Sequence, residues 1–208
     1  DTYCFLDKGL RAPGMPVLDA IGDLYLAETA GARVLRFSPP FPRSARECAN
    51  PERLVTTPPT KSVFLTLAAS GEATPAGIVY LPADPAPSFI VGSVLIPPVI
   101  RQYGADGGLV RTLVPEGVPR NPLGLDVGSD GTLYYAELNL DPATFAPRCG
   151  GVAAVRLTGA DPPGAPMPLG KDLRFPDGVT VVDSTRFRVD FTKLPAAPAL
   201  DPSRCGGE

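Results

Sequence analysis

Leu18-Asp19-Ala20-Ile21-Gly22-Asp23-Leu24-Tyr25-Leu26-Ala27-Glu28 and Leu125-Asp126-Val127-Gly128-Ser129-Asp130-Gly131-Thr132-Leu133-Tyr134-Tyr135-Ala136-Glu137 are two copies of one pattern. Each has an apolar run ending in Asp, a Gly/Asp turn, and an apolar-aromatic run closing on Ala-Glu. Asp-Gly and Gly-Asp between alternating apolar runs predict a tight hairpin, because glycine accepts the positive φ such turns require. Ala27 and Ala136 lie 109 residues apart, close to two units of about 54 residues, within the range of repeat architectures. A second echo sets the same ruler. Pro147-Arg148-Cys149-Gly150-Gly151 returns as Ser203-Arg204-Cys205-Gly206-Gly207, with the cysteines 56 residues apart.

Working outward with that ruler, the chain divides into units near 15–60, 76–115, 122–170 and 176–208 of a single domain. Their first strands are expected at 15–19, 76–81, 123–127 and 178–183. Further strands are expected at 32–37, 88–95, 99–103, 109–114 and 151–157, the turn Ala105-Asp106-Gly107-Gly108 joining two of them. Proline-rich stretches at 38–42, 56–60, 160–168 and 194–202 fall between strands, where a missing N–H does no harm. With 27 Pro and 22 Gly in 208 residues, their share is about twice the usual ~12%, which leaves no room for long helices. Short strands at this period predict an all-β fold of radially repeated sheets, a β-propeller with about four recognisable blade-like units. A six-bladed ring containing them is the alternative. The last echo falls before a third strand, so the chain stops within a unit; a closing strand from residues 2–7 and a fragment of a longer ring are both compatible with that.

Composition excludes several chemistries. With no histidine, neither a Ser-His-Asp nor a Cys-His catalytic site can be built from this chain alone, nor a His-ligated zinc or haem. A net charge of −3 argues against nucleic acid as a partner, since phosphate neutralisation needs a basic surface. The longest apolar run, 89–100, is broken by Gly92 and Pro97-Pro98 and is too short to span a bilayer. The start Asp1-Thr2-Tyr3-Cys4 shows no signal peptide and reads as a mature or trimmed N-terminus. The four cysteines Cys4, Cys48, Cys149 and Cys205 have no C-x-x-C spacing, and an even count in a loop-rich chain predicts two disulfides in an exported protein, periplasmic or extracellular. All three pairings remain open.

Residues 17–37 resemble an NHL-type repeat, which supplies one four-stranded propeller blade; 123–137 resemble a second copy, and 98–114 the outer strands of another. That resemblance implies the fold and leaves the function open. Phe175-Pro176-Asp177-Gly178-Val179 is similar to the Pro-Asp-Gly motif of gluconolactonase-like propellers, whose Asp sits at a central metal. Asn121-Pro122-Leu123-Gly124 lies near that family's Pro-Asn-Gly, with the Asn displaced by one residue. The family's Glu-Gly-Pro ligand motif has no inner-strand counterpart; the nearest string, Glu116-Gly117-Val118-Pro119, follows a fourth strand. Glu28 and Glu137, at equivalent strand ends, are expected to bind loop backbone rather than a cation.

The expected function is therefore an exported, non-catalytic propeller that binds a protein partner or helps an assembly form, with no catalytic residue and no cofactor. One alternative is a metal-dependent, lactonase-like hydrolase, with Asp177 and Asn121 at one divalent cation such as Ca²⁺. Another is an accessory subunit of a larger extracellular or periplasmic complex.

Overall fold

The computed structural model describes residues 3–68, 71, 73–82, 86–157 and 163–182. Alternating apolar runs bounded by Gly, Pro and Asp become strands because each can bury alternate side chains on its two faces. Twelve strands form among the described residues: β1 Pro13–Leu18, β2 Leu24–Glu28, β3 Arg33–Ser38, β4 Thr60–Thr66, β5 Pro75–Leu81, β6 Ser88–Ser93, β7 Val99–Gly104, β8 Leu109–Val114, β9 Pro122–Val127, β10 Thr132–Glu137, β11 Cys149–Arg156 and β12 Met167–Arg174. Helical structure among the described residues is confined to short 3₁₀ turns such as Thr29–Gly31 and Ala45–Cys48. No helix among the described residues is long and apolar enough to cross a membrane.

The strands make three four-stranded antiparallel sheets in simple chain order, β1-β2-β3-β4, β5-β6-β7-β8 and β9-β10-β11-β12. The all-β expectation and the three first strands at 15–19, 76–81 and 123–127 agree with this structure to within two residues. The outer strands β4 and β12 were not anticipated. They are largely exposed, so they carry little of the apolar alternation that announces a strand. Residues 183–208, which hold most of the fourth expected unit, lie outside the described residues.

Sheets stack through two cores. Tyr25, Val34 and Leu65 of the first sheet pack on Ile78, Phe89, Val91 and Tyr103 of the second. Ile90, Ile100 and Leu113 of the second pack on Leu125, Leu133, Tyr135 and Val155 of the third. Strand β6 is buried along its whole length: Phe89 and Val91 face one neighbour and Ile90 the other, as a two-residue side-chain period dictates.

The first strands β1, β5 and β9 lie in sequence against one another, and glycine sets how closely. A Cβ added at Gly14 would sit 2.5 Å from the Ala76 carbonyl oxygen, one at Gly77 would strike that of Leu123, and one at Gly124 would lie 2.5 Å from Gly178 Cα and 2.9 Å from the Asp177 oxygen. The residue before each unit's glycine thus seats on the glycine of the unit before it. Val181 N–H also donates to Asp126 Oδ2 at 2.7 Å, so 177–181 follows β9 as β9 follows β5. The N-terminal segment is engaged elsewhere: Phe5 pairs in parallel with Leu54, inside the β3–β4 loop, and Cys4 is disulfide-bonded to Cys48 of the same loop.

Candidate functional site

The loops that precede the first strands and those that link second to third strands share one end of the three sheets. Two buried carboxylates fix them. Glu28 is fully buried; it accepts the Arg11 N–H at 2.9 Å and pairs with the Arg33 guanidinium. That guanidinium holds the Glu28 carboxyl below the usual carboxylate range. Glu137, 6% exposed, accepts the Arg120 N–H at 2.9 Å and faces the Arg120 guanidinium at 3.4 Å. In both cases the backbone donor lies 17 residues upstream, next to a residue in the left-handed region, Ala12 (φ 49°) or Asn121 (φ 61°). The repeat seen in sequence is therefore a repeat of loop clamps. Both glutamates bind loop backbone, as strand-end carboxylates commonly do.

The sequence-nominated metal residues are not brought into a ligand set. The Asn121 amide is committed at both ends, donating to the Val94 carbonyl at 2.9 Å and accepting the Leu140 N–H at 2.8 Å. Asp177 is exposed, and its backbone oxygen lies beside Gly124. Among the described residues, no three His, Cys, Asp or Glu side chains gather closely enough to hold a metal. Of the nominated cysteines, Cys4 and Cys48 are joined, with Cα atoms 5.6 Å apart. Cys149 is also in a disulfide, and Cys205 lies outside the described residues.

What this end of the sheets does contain is a groove of about 470 Å³ between the β6–β7 and β10–β11 loops, floored by residues 117–121. Ile96 on one lip and Phe145 on the other are each 58% exposed, with Leu95, Pro98, Pro119 and Leu140 between them. Arg120, more than half exposed along its side chain, is the cationic group in its wall.

Phe145 is held out by its loop. Asp141 accepts the N–H groups of Ala143 and Thr144 at 2.9 Å and the Thr144 hydroxyl at 3.0 Å. It also pairs with Arg148 at 2.5 Å. These donors lower the Asp141 carboxyl to about 2, the Thr144 N–H contributing most. Phe145 itself takes φ 55°, an uncommon conformation for a bulky side chain.

Sequence reading missed this groove, whose members come from three loops. The signal available was local: Asp141-Pro142 at the head of a loop reads as an Asx turn, closed here on the Ala143 N–H two residues on, which makes the loop ordered. Neither models of known protein families nor curated protein sequences match this chain.

Proposed function

We propose that this chain is an exported β-propeller of NHL-like type, acting as a non-catalytic binding or assembly module whose partner enters the groove between Ile96 and Phe145. The single observation that carries this reading is the exposure of two large apolar side chains on braced loops. Isolated exposed apolar residues are ordinary, but an apolar groove between ordered lips with few polar groups is the usual form of a binding site. The propeller reading is supported by three meander sheets whose first strands lie successively together and by a glycine contact repeated at Gly14, Gly77 and Gly124. Export is supported by the Cys4–Cys48 disulfide, since such bonds persist in oxidising compartments. An accessory-subunit role is one form of the same reading, with the partner seated permanently.

The test is site-specific photocrosslinking in the secreting host. A photoreactive residue at Phe145 or Ile96 is expected to capture the same protein, while the same probe at Val63, exposed on β4, captures none. Equal capture from all three positions, or none from the groove, overturns the reading. The hydrolase alternative asks Asn121 to leave two loop hydrogen bonds and approach Asp177. Elemental analysis of purified protein is expected to show no stoichiometric divalent ion; about one per chain, lost with Asp177→Ala, would establish the hydrolase instead.

A further inference from the structure

At the opposite end of the first sheet, the N-terminal segment and the 45–53 turn enclose a cleft of about 370 Å³. Tyr3, Ala45, Arg46, Ala49, Asn50 and Arg53 line it. We infer that this cleft binds a carboxylate carried on a peptide, with the guanidinium groups of Arg46 and Arg53 as its receptors.

Four observations carry the inference. First, the walls are fixed: Cys4 is bonded to Cys48, whose sulfur also contacts the Tyr3 carbonyl at 3.6 Å, and Phe5 exchanges backbone hydrogen bonds with Arg53 and Val55 at 2.8 and 3.1 Å. Second, Arg53 is placed with care. Its backbone lies in the left-handed region at φ 54°, where glycine or asparagine would sit more easily, and its guanidinium stands 4.7 Å from the centre of the Tyr3 ring. A guanidinium stacked on an aromatic face keeps its in-plane N–H donors free for a planar anion.

Third, the charge in the cleft is unbalanced. Neither Arg46 nor Arg53 has a carboxylate partner among the described residues. Of the two nearby acids, Glu47 is turned away as a capping group, accepting the N–H of Arg43 at 2.9 Å and of Ser44 at 3.0 Å, and Glu52 is exposed and does not line the cleft. In a chain of net charge −3, two unpaired cations in one cleft are a local reversal of sign. Fourth, the cleft offers donors and apolar surface but few acceptors. The Asn50 amide is spent at both ends on Leu54 backbone, at 2.6 and 3.2 Å. A sugar needs acceptors for its hydroxyls as well as donors. A carboxylate needs donors but no acceptors, and the guanidinium fork fits it two-pronged.

This site is independent of the groove at Ile96 and Phe145, so either can fail alone. The experiment is a titration of the full, oxidised chain with acetyl-Ala-Phe-Glu, followed by calorimetry and by amide shifts in ¹⁵N-labelled protein. The expected result is saturable binding with shifts confined to residues 3–8 and 45–55. Arg46→Ala and Arg53→Gly should each weaken it about tenfold or more, the usual effect of losing a charged hydrogen bond. Arg53→Gly suits the left-handed backbone, so its thermal midpoint should be unchanged or higher, which separates lost binding from lost folding. The neutral peptide acetyl-Ala-Phe-Gln-amide should bind at least tenfold more weakly. Equal affinity for the two peptides, no saturation at millimolar concentration, or tighter binding of a sulfated oligosaccharide that also shifts these residues would each overturn the inference.

Discussion

Glu28 shows how little freedom a buried carboxylate leaves its surroundings. Its oxygens are shared between a backbone N–H and a guanidinium, so removing the side chain strands both donors at once. Glu28→Ala is expected to cost about 2–3 kcal/mol, toward the low end for a buried pair because Arg33 stays partly in water. Urea unfolding of the two proteins checks this, and a change below about 0.5 kcal/mol, ordinary for a surface substitution, would show the clamp to be incidental. The Ala-Glu that closes both hairpins was legible in sequence as a repeated strand end. Its donor, 17 residues upstream, was not, because only the folded register places Arg11 and Arg120 beside the second strand.

Among the elements, first strands were the most readable and outer strands the least. β5 buries most of its residues and β9 half, with none of either fully exposed, and they therefore had to be written largely in apolar residues. β4 and β12 meet solvent and could be written in almost anything. The close approach of successive first strands was hidden for a different reason: glycine before an apolar run reads equally as a turn. Gly124→Ala is expected to lower stability by about 1–3 kcal/mol, since backbone atoms of 177–178 fill the space of the new methyl group. Gly170→Ala on β12, with nothing within 4 Å of the added carbon, serves as its control. The Asp141 loop gives a pH test at the same scale. Its carboxyl titrates lower in the folded chain, at about 2, than in an unfolded one, at about 3.9. The loop's advantage is thus full above pH ~4 and fades as pH falls toward ~2. Protection factors of the amides in 143–148, corrected for the intrinsic pH dependence of exchange, should fall over that interval before those of the strands do. Uniform protection down to global unfolding would show that Asp141 does not order the loop.

For the whole molecule, titrating groups bound the range over which it stays folded. On the acid side the lowered carboxyls of Glu28, Asp7 and Asp141 favour the folded state above their unfolded values and lose that effect as they protonate. On the alkaline side, burial pushes the Tyr25 phenol up to about 12. Its contribution is whole below pH ~10 and declines as pH climbs toward the folded value. Thermal midpoints are therefore expected to form a plateau from about pH 5 to 10, with both flanks descending; a midpoint that still rises between pH 10 and 12 would contradict the Tyr25 assignment. Fold class was readable because period, turn chemistry and composition agree with one another. Binding surfaces were not, because they are assembled from loops that meet only once the sheets stack.

The Cys4–Cys48 bond has a mechanical consequence. Strands β1, β2 and β3 all lie inside the covalent loop it closes. A molecule stretched between its two ends can surrender β4 from the first sheet, but force reaching Cys48 passes directly to Cys4 and bypasses the three strands between. Under tension the first sheet keeps an inextensible nucleus, whereas the second sheet, whose strands carry no cysteine, peels away without such a restraint. Removing this bond alone, by Cys4→Ser together with Cys48→Ser, would release the 44 bridged residues as about 150 Å of added slack, measurable as one longer step in a single-molecule pulling trace.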